Sequence, residues 1–251
     1  MTEGHNSQNE DAFARKVQLA AFLKNPVGFV HREHLEDVGL EPGPMYLLSG
    51  QPGFTRALNR VVAQRTGTDA LSVTRDWLDS LMHSGQHQTS FDLAVCKLEF
   101  LIAAAQKVAS IELYHHLRKC VQKSRRNLFE TYLGVQAFRT SLREAPSRYP
   151  HLAEKGKNLR IDDLIVSIST SSEYVAGGHG ADTGSDGINP LVWVGLSTIF
   201  AFLKASDSVS AALFVLRFPK SAEAKYFSVP TMTTLQGHEI YNLLKHRGSA
   251  G

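Results

Sequence analysis

The 251-residue sequence is poor in cysteine and contains only two, Cys96 and Cys120. Two cysteines in apparently helical segments exclude a disulfide-rich scaffold and indicate buried free thiols in a reducing compartment. A chain of this length buries roughly 70–75% of the surface that its unfolded form exposes. It therefore needs neither disulfides nor a structural metal ion to fold.

The sequence also lacks a long uninterrupted apolar run. The longest one covers residues 190–205, is interrupted by Gly195 and carries Lys204 near its end. It is too short for a bilayer, which takes about 20 apolar residues. Residues 1–16 are polar and have no apolar region typical of a secretory signal. We therefore expect an intracellular protein, cytoplasmic or nuclear, that is neither secreted nor bound to a membrane.

Charge is distributed unevenly along the chain, although the formal net charge is only +3. Residues 1–55 have four Lys/Arg against seven Asp/Glu, a balance of −3. Residues 56–160 have seventeen against nine, a balance of +8, and residues 161–251 have six against eight, a balance of −2. A local excess of one sign creates the field that attracts a charged partner. We therefore expect a binding surface for a charged partner in the middle of the chain.

The first 150 residues have apolar positions at helical spacing. This pattern predicts helices over residues 8–24, 54–65, 70–83, 90–108, 110–124 and 127–143. The stretch 39–53 contains three prolines and four glycines, which predicts a hinge.

The last hundred residues have a different pattern. Strands are predicted where β-branched and aromatic residues concentrate, over residues 160–170, 210–218 and 224–231. A glycine-rich loop, 176–190, and an apolar helix, 191–204, lie between them, and a short helix over 235–245 follows. Because the helix 191–204 is apolar nearly all round, we expect it in the core or, alternatively, at a subunit interface.

Together these patterns predict a mainly α-helical protein with a smaller α+β C-terminal part. Its predicted divisions are an acidic segment with one helix and a hinge (1–53), a basic helical lobe (54–150) and a lobe of a small sheet with two helices (151–251).

Basic residues concentrate after position 115, where residues 116–160 contain eleven Lys/Arg and three Glu. Aromatic residues are interleaved with them. Guanidinium groups pair with phosphates, and exposed rings stack on bases, which together bind single-stranded nucleic acid. The sequence predicts a nucleic-acid site formed by Arg118, Lys119, Lys123, Arg125, Arg126, Tyr132, Arg139, Arg143, Arg148, Tyr149, Lys155 and Lys157.

This site predicts sequence-tolerant binding of nucleic acid, with RNA favoured over DNA, in a packaging or scaffold role with self-association into a homo-oligomer. If about five basic residues met phosphates of a single strand, log affinity would fall with log salt with a slope near −3.5. The alternative is a solvated basic face on a protein-interaction scaffold that binds no nucleic acid.

A second segment, residues 54–82, resembles a helix–turn–helix, or the paired N-terminal helices of the bacterial histone-like DNA-binding proteins. Two predicted helices there are joined at Thr66-Gly67. The resemblance implies a DNA contact in this part of the chain. Two helices joined by a short turn in an ordinary helical protein are the alternative.

The segment "VSISTSSEYVAGG", residues 166–178, suggests a different function. Its Ser-Thr-Ser resembles the strand motif of the arginine–serine–glutamate class of ADP-ribosyltransferases. The resemblance implies an enzyme that uses NAD. In it Arg139 would anchor the phosphates and ribose, Ser169 would shape the nicotinamide pocket, and Glu239 would polarise the ribose.

No metal site is predicted, and NAD in this alternative is the only cofactor considered. His83 and His87 are four apart, and His31 and His34 are three apart. No third histidine or carboxylate stands at ligand spacing beside either pair, which favours capping or exposed histidines. The loop 176–190 lacks the Lys-Ser/Thr ending of a phosphate-binding loop, so we expect a surface loop.

Overall fold

The structure is a computed structural model that describes residues 75–165, 188–227 and 232–245 together with positions 17, 30, 31, 33, 34 and 60. Eleven α-helices with full bounds lie in these ranges. They are α1 Arg75–His83, α2 Gly85–Val95, α3 Leu98–Glu112, α4 Tyr114–Leu117, α5 Lys123–Leu133, α6 Val135–Arg148, α7 Pro150–Lys155, α8 Pro190–Ser206, α9 Ser208–Val215, α10 Lys220–Tyr226 and α11 Thr234–Leu244. A 3-10 turn, Gly156–Asn158, follows α7, and residues 161–165 are helical.

The prediction of a mainly α-helical protein is confirmed, but the C-terminal sheet is not seen, because none of the described residues forms a strand. Residues 161–165 of the first predicted strand are helical, the second coincides largely with α9, and residues 224–226 of the third belong to α10. Residues 166–170 and 228–231 of these predicted strands lie outside the described residues.

The sequence of α9 shows why the strand prediction was wrong. Helix α9 is short and apolar, and most of its side chains are buried. Because a short apolar run is typical of both a buried helix and a buried strand, the sequence alone does not distinguish them. The start of the helix is set by Asp207, whose Oδ1 accepts a hydrogen bond from the backbone N–H of Val209 at 3.0 Å. The Ser210 hydroxyl donates to the other carboxylate oxygen. These contacts give the helix an N-cap that a strand would not use.

The chain forms two compact units, residues 1–96 with 206–225 and residues 97–205 with 226–251. In the first unit α2 packs against α1 and α9. Trp77 meets Phe91 edge to face at 6.2 Å between ring centroids and donates from Nε1 to Asp207 Oδ1 at 3.0 Å. The Asp207 carboxylate therefore joins two helices that are distant in sequence.

The C-terminal end of α2 is capped in the same unit by Arg217. Its guanidinium donates to the carbonyl oxygens of Leu93, at 3.4 Å, and Ala94, at 3.1 Å. A cation beside the last carbonyls of a helix is favourable. Burial lowers the pKa of Arg217 below its usual value, and the neighbouring Cys96 offsets only part of that shift.

The second unit is built around α3, which contacts α4, α5, α6, α7 and α11. Its buried face carries small and aliphatic residues. The adjoining hydrophobic core contains Ala109, Leu113, Leu117, Phe129, Leu133, Phe138, Ile161 and Leu191.

A glycine allows α8 to approach α3 at close range. A Cβ atom on Gly195 would lie 1.9 Å from the carbonyl oxygen of Ala105. Real Cβ atoms do not approach a backbone oxygen so closely. The glycine that interrupts the apolar run is thus needed for helix packing.

A second glycine separates α5 from α6. Gly134 has φ 85°, a conformation that glycine adopts at little cost and other residues avoid. It divides the predicted helix 127–143 into two helices that contact each other.

Helices predicted near the C-terminus are confirmed. The apolar helix extends over α8, where most of its side chains are buried, and the last helix is α11. The latter begins with a capping box in which Thr233 and Gln236 exchange hydrogen bonds.

Several predictions lie outside the described residues. They concern the helix 8–24 apart from position 17, the hinge 39–53, the helix 54–65 apart from position 60, and residues 176–187 of the glycine-rich loop. Within the ranges that are described, no helix combines the length and apolar character needed to cross a membrane.

Candidate nucleic-acid interface

The basic part of the sequence, residues 114–160, folds into consecutive short helices of the second unit. On α5 the buried side chains are Phe129 and Leu133. On α6 the buried stripe is Phe138, Ser141 and Ala145. Because helical side chains repeat every 3.6 residues, these buried stripes direct most of the intervening basic side chains to solvent.

Six of these side chains form what we call the basic surface: Arg118, Lys119, Lys123, Arg125, Arg126 and Arg139. Five are exposed, and the side chain of Arg125 is 37% exposed. The first two follow α4, and a connection of only five residues, 118–122, leads to α5.

Helix α6, which carries the exposed Arg139, packs against both α4 and α5. The Arg126 guanidinium lies 5.6 Å from the centroid of the Phe138 ring, and Arg139 is the next residue along α6. The residues of the basic surface thus come from the connection after α4, from α5 and from α6.

Carboxylates pair with two of the six cations. Arg125 Nη2 lies 2.9 Å from Asp162 Oδ1, and Arg126 Nε lies 2.9 Å from Glu130 Oε1. Exposed ion pairs contribute roughly 0.2–1 kcal/mol, so a phosphate group can compete for these arginines.

The other four cations have no carboxylate partner among the residues the structure describes. They are Arg118, Lys119, Lys123 and Arg139.

The first turn of α5 concentrates positive charge at a helix end that is already positive. It contains Lys123, Arg125 and Arg126, has no acidic residue, and receives no side-chain cap. Cations at a helix N-terminus are unfavourable, whereas anions are stabilised there by the dipole and the free N–H groups. The turn thus favours an anion that its own residues do not supply, and the carboxylates of Asp162 and Glu130 pair with two of its three cations.

Three further predicted residues are exposed but paired. Glu144 accepts from Arg143 at 2.8 Å and from Arg148 at 3.4 Å. Lys157 Nζ lies 2.7 Å from Glu154 Oε1. The hydrogen bond from Lys157 lowers the pKa of Glu154 from its usual value, with the charge of Lys157 and the pairing with His115 adding to the shift. These pairs extend the positive region with partly neutralised charge.

Two predicted residues face the interior instead. Lys155 is 17% exposed and its Nζ lies 2.7 Å from Glu112 Oε1. Tyr149 is 7% exposed, and burial raises the pKa of its hydroxyl. Neither is placed to meet a nucleic acid, so neither belongs to the basic surface.

The remaining predicted ring, Tyr132, is half-buried and packs against the core, while its backbone carbonyl accepts from Gln106 Nε2 at 2.9 Å. Cys120 lies close to the same core beneath the basic surface. Burial raises the pKa of its thiol, and the charges of Arg125 and Arg126 oppose that shift.

Asp162 belongs to the site although the sequence did not indicate it. It is 37 residues from Arg125 along the chain, and no local pattern signals such a pair. Arg160, a basic residue outside the predicted site, is exposed immediately before the helical residues 161–165.

The residues of the NAD alternative are placed as follows. Arg139 is exposed on α6, and Glu239 is buried on α11. The Glu239 carboxylate accepts hydrogen bonds from the backbone N–H groups of His151, at 3.1 Å, and Leu152, at 2.8 Å. It thereby caps the start of α7. Ser169 lies outside the described residues.

The histidine pairs do not form a metal site in the described part of the chain, where no group of three potential ligands occurs. His83 ends α1 and His87 belongs to α2, because Ser84 between them caps α2. The His34 ring contacts the carbonyl oxygen of Phe218 through Nε2 at 2.9 Å.

Of the segment that resembles histone-like proteins, residues 75–82 are helical, and of residues 54–74 only position 60 is described.

Comparison of the chain with protein-family models, with curated proteins and with solved structures finds no match in any of the three.

Proposed function

We propose that this protein binds nucleic acid through the basic surface, without sequence preference and with single-stranded RNA favoured over DNA. The observation that carries the proposal is the first turn of α5, where three cations stand at a helix N-terminus without an acidic neighbour in that turn. Phosphate groups are the anions that such an arrangement of lysine, arginine and free amides accommodates best.

Sequence tolerance follows from the chemistry of the surface. Contacts from lysine and arginine to phosphate oxygens position a strand but carry no base information. A long strand offers the same phosphates at every register, so neighbouring copies of the protein can bind side by side. Packaging of a strand, with self-association of the bound copies, is the role we infer.

The test is a titration of fluorescein-labelled U20 RNA at low salt, followed by fluorescence anisotropy. We choose Lys119 and Lys123 because both are exposed and neither has a carboxylate partner in the described ranges. The double variant K119E/K123E should bind at least tenfold more weakly than the wild type. Arg125 and Arg126 are less suitable, because glutamate there would face Asp162 and Glu130.

The matched control is K97E/K204E, which makes the same change in net charge at two exposed lysines outside residues 114–160. Its affinity should fall much less. Equal losses in the two double variants would show that only net charge matters, and an absence of RNA binding by the wild type would refute the proposal. The NAD-using enzyme and the protein-interaction scaffold would then be the remaining candidates.

A further inference from the structure

The phenylalanine and tyrosine rings of the basic segment are turned away from solvent or covered. Between residues 114 and 160 the phenylalanine and tyrosine rings are those of Tyr114, Phe129, Tyr132, Phe138 and Tyr149. Phe129, Phe138 and Tyr149 are buried, and Tyr114 and Tyr132 are half-buried. In this segment most charged side chains therefore face solvent, whereas the phenylalanine and tyrosine rings face the interior.

Two of these rings are also faced by the arginines of the basic surface. The Arg118 guanidinium lies 5.9 Å from the centroid of the Tyr114 ring, and Arg126 lies 5.6 Å from that of Phe138. The His115 ring approaches Tyr114 at 5.2 Å. A stacked base would need a ring face that these side chains already occupy.

A more exposed ring of the same unit lies elsewhere. Phe100 is 58% exposed and belongs to the first turn of α3. At a rise of about 1.5 Å per residue it is about 18 Å along that helix from Glu112, where the chain turns towards α4. It lies at the end of α3 opposite the one that leads into α4 and Arg118.

We infer that the ligand of the basic surface is the ribose–phosphate backbone itself, held by its phosphates while the bases remain unstacked by the phenylalanine and tyrosine rings of residues 114–160. This inference rests on the proposed function and makes it more specific. It distinguishes the protein from single-strand binders in which successive bases stack on aromatic side chains. Removing the bases should therefore leave the affinity almost unchanged.

The experiment compares two fluorescein-labelled 20-mers with the same ribose–phosphate backbone, U20 and an abasic strand. Both are titrated with the full chain at the same low salt concentration. The dissociation constants should agree within about twofold, because the two strands present equal numbers of phosphates. K119E/K123E should weaken the binding of both strands by the same factor.

The other outcomes distinguish a failure of this inference from a failure of the proposed function. Loss of even one stacked base should raise the dissociation constant about fivefold or more. Tight binding of U20 with an abasic strand at least fivefold weaker would overturn the inference and leave nucleic-acid binding standing. Failure of both strands to bind would overturn both.

Discussion

Lys155 and Glu112 form a buried ion pair in which Nζ lies 2.7 Å from Oε1, with the two side chains 17% and 3% exposed. The Thr198 hydroxyl donates to the second carboxylate oxygen at 2.6 Å, and Lys155 also donates to Thr198. This group connects α7, α3 and α8 inside the second unit. One lysine of the basic segment thus stabilises the scaffold that carries the other cations.

Replacement of Lys155 by methionine should lower the free energy of unfolding by about 3–5 kcal/mol, because it leaves the Glu112 carboxylate buried without its cation. Urea denaturation measures the change. The double variant K155M/E112Q should recover part of the loss, since no buried charge then remains.

The control is Lys157→Met, which breaks an exposed pair with Glu154 and should leave stability nearly unchanged. If K155M were as stable as the wild type but bound RNA more weakly, Lys155 would be a phosphate contact rather than a structural residue.

Gly195→Ala should destabilise the protein by about 1–3 kcal/mol, since the new methyl group would collide with the carbonyl oxygen of Ala105 and separate α8 from α3. Gly237→Ala provides the matched control. Gly237 lies within α11, and among the described residues its Cβ would meet only Met232 Sδ, at 3.8 Å, so better helix propensity should stabilise the variant by up to about 1 kcal/mol. The midpoint of thermal unfolding should therefore fall in Gly195→Ala and rise in Gly237→Ala. A shift of both midpoints in the same direction would contradict the close packing of α8.

Glu239→Gln should reduce stability by about 1–2 kcal/mol, because the amide has one acceptor oxygen for the two N–H groups at the start of α7 and no negative charge. RNA affinity should not change. The NAD alternative predicts instead that this variant loses NAD hydrolysis or transfer. Chemical denaturation and turnover of labelled NAD, measured on the same samples, separate the two roles.

Asp162→Asn should strengthen RNA binding, because it releases Arg125 from a carboxylate 2.9 Å away. The matched control is Asp163→Asn, which removes the same charge from an exposed neighbour that makes no ion pair among the described residues. We expect a two- to fivefold gain in affinity for D162N, about the value of an exposed ion pair, and a smaller gain for D163N. Equal gains would show that Asp162 acts through general repulsion and does not compete with phosphate at Arg125.

Helices with a strong local signal were predictable from the sequence. The all-round apolar composition of α8 identified it, although composition alone did not reveal why Gly195 interrupts it. Asp207, the N-cap of α9, is a residue type that signals a helix start. The β-branched and aromatic residues that follow it nevertheless favoured a strand prediction. The glycine that divides α5 from α6 was visible too, but helical spacing on both sides concealed the break.

The candidate site was predictable only in part, because exposure depends on partners distant in sequence. Arg118, Lys119, Lys123 and Arg139 are exposed, as expected of a solvated basic face. Lys155 looks identical in the sequence, but its partner Glu112 is 43 residues away. Neither that pair nor the contact of Asp162 with Arg125 follows any local pattern. The predicted divisions at residues 53 and 150 stay a prediction.

The salt dependence of U20 binding tests the central claim most directly, because the number of counterions released on binding depends on the number of phosphates that the protein neutralises. Fluorescence titrations between about 50 and 300 mM salt should give a log–log slope near −3.5 for about five phosphate contacts. The slope should become less negative by about 1.4 in K119A/K123A, which removes two of them. A slope near zero, or one unchanged in the double variant, would contradict the assignment of the basic surface as the nucleic-acid interface.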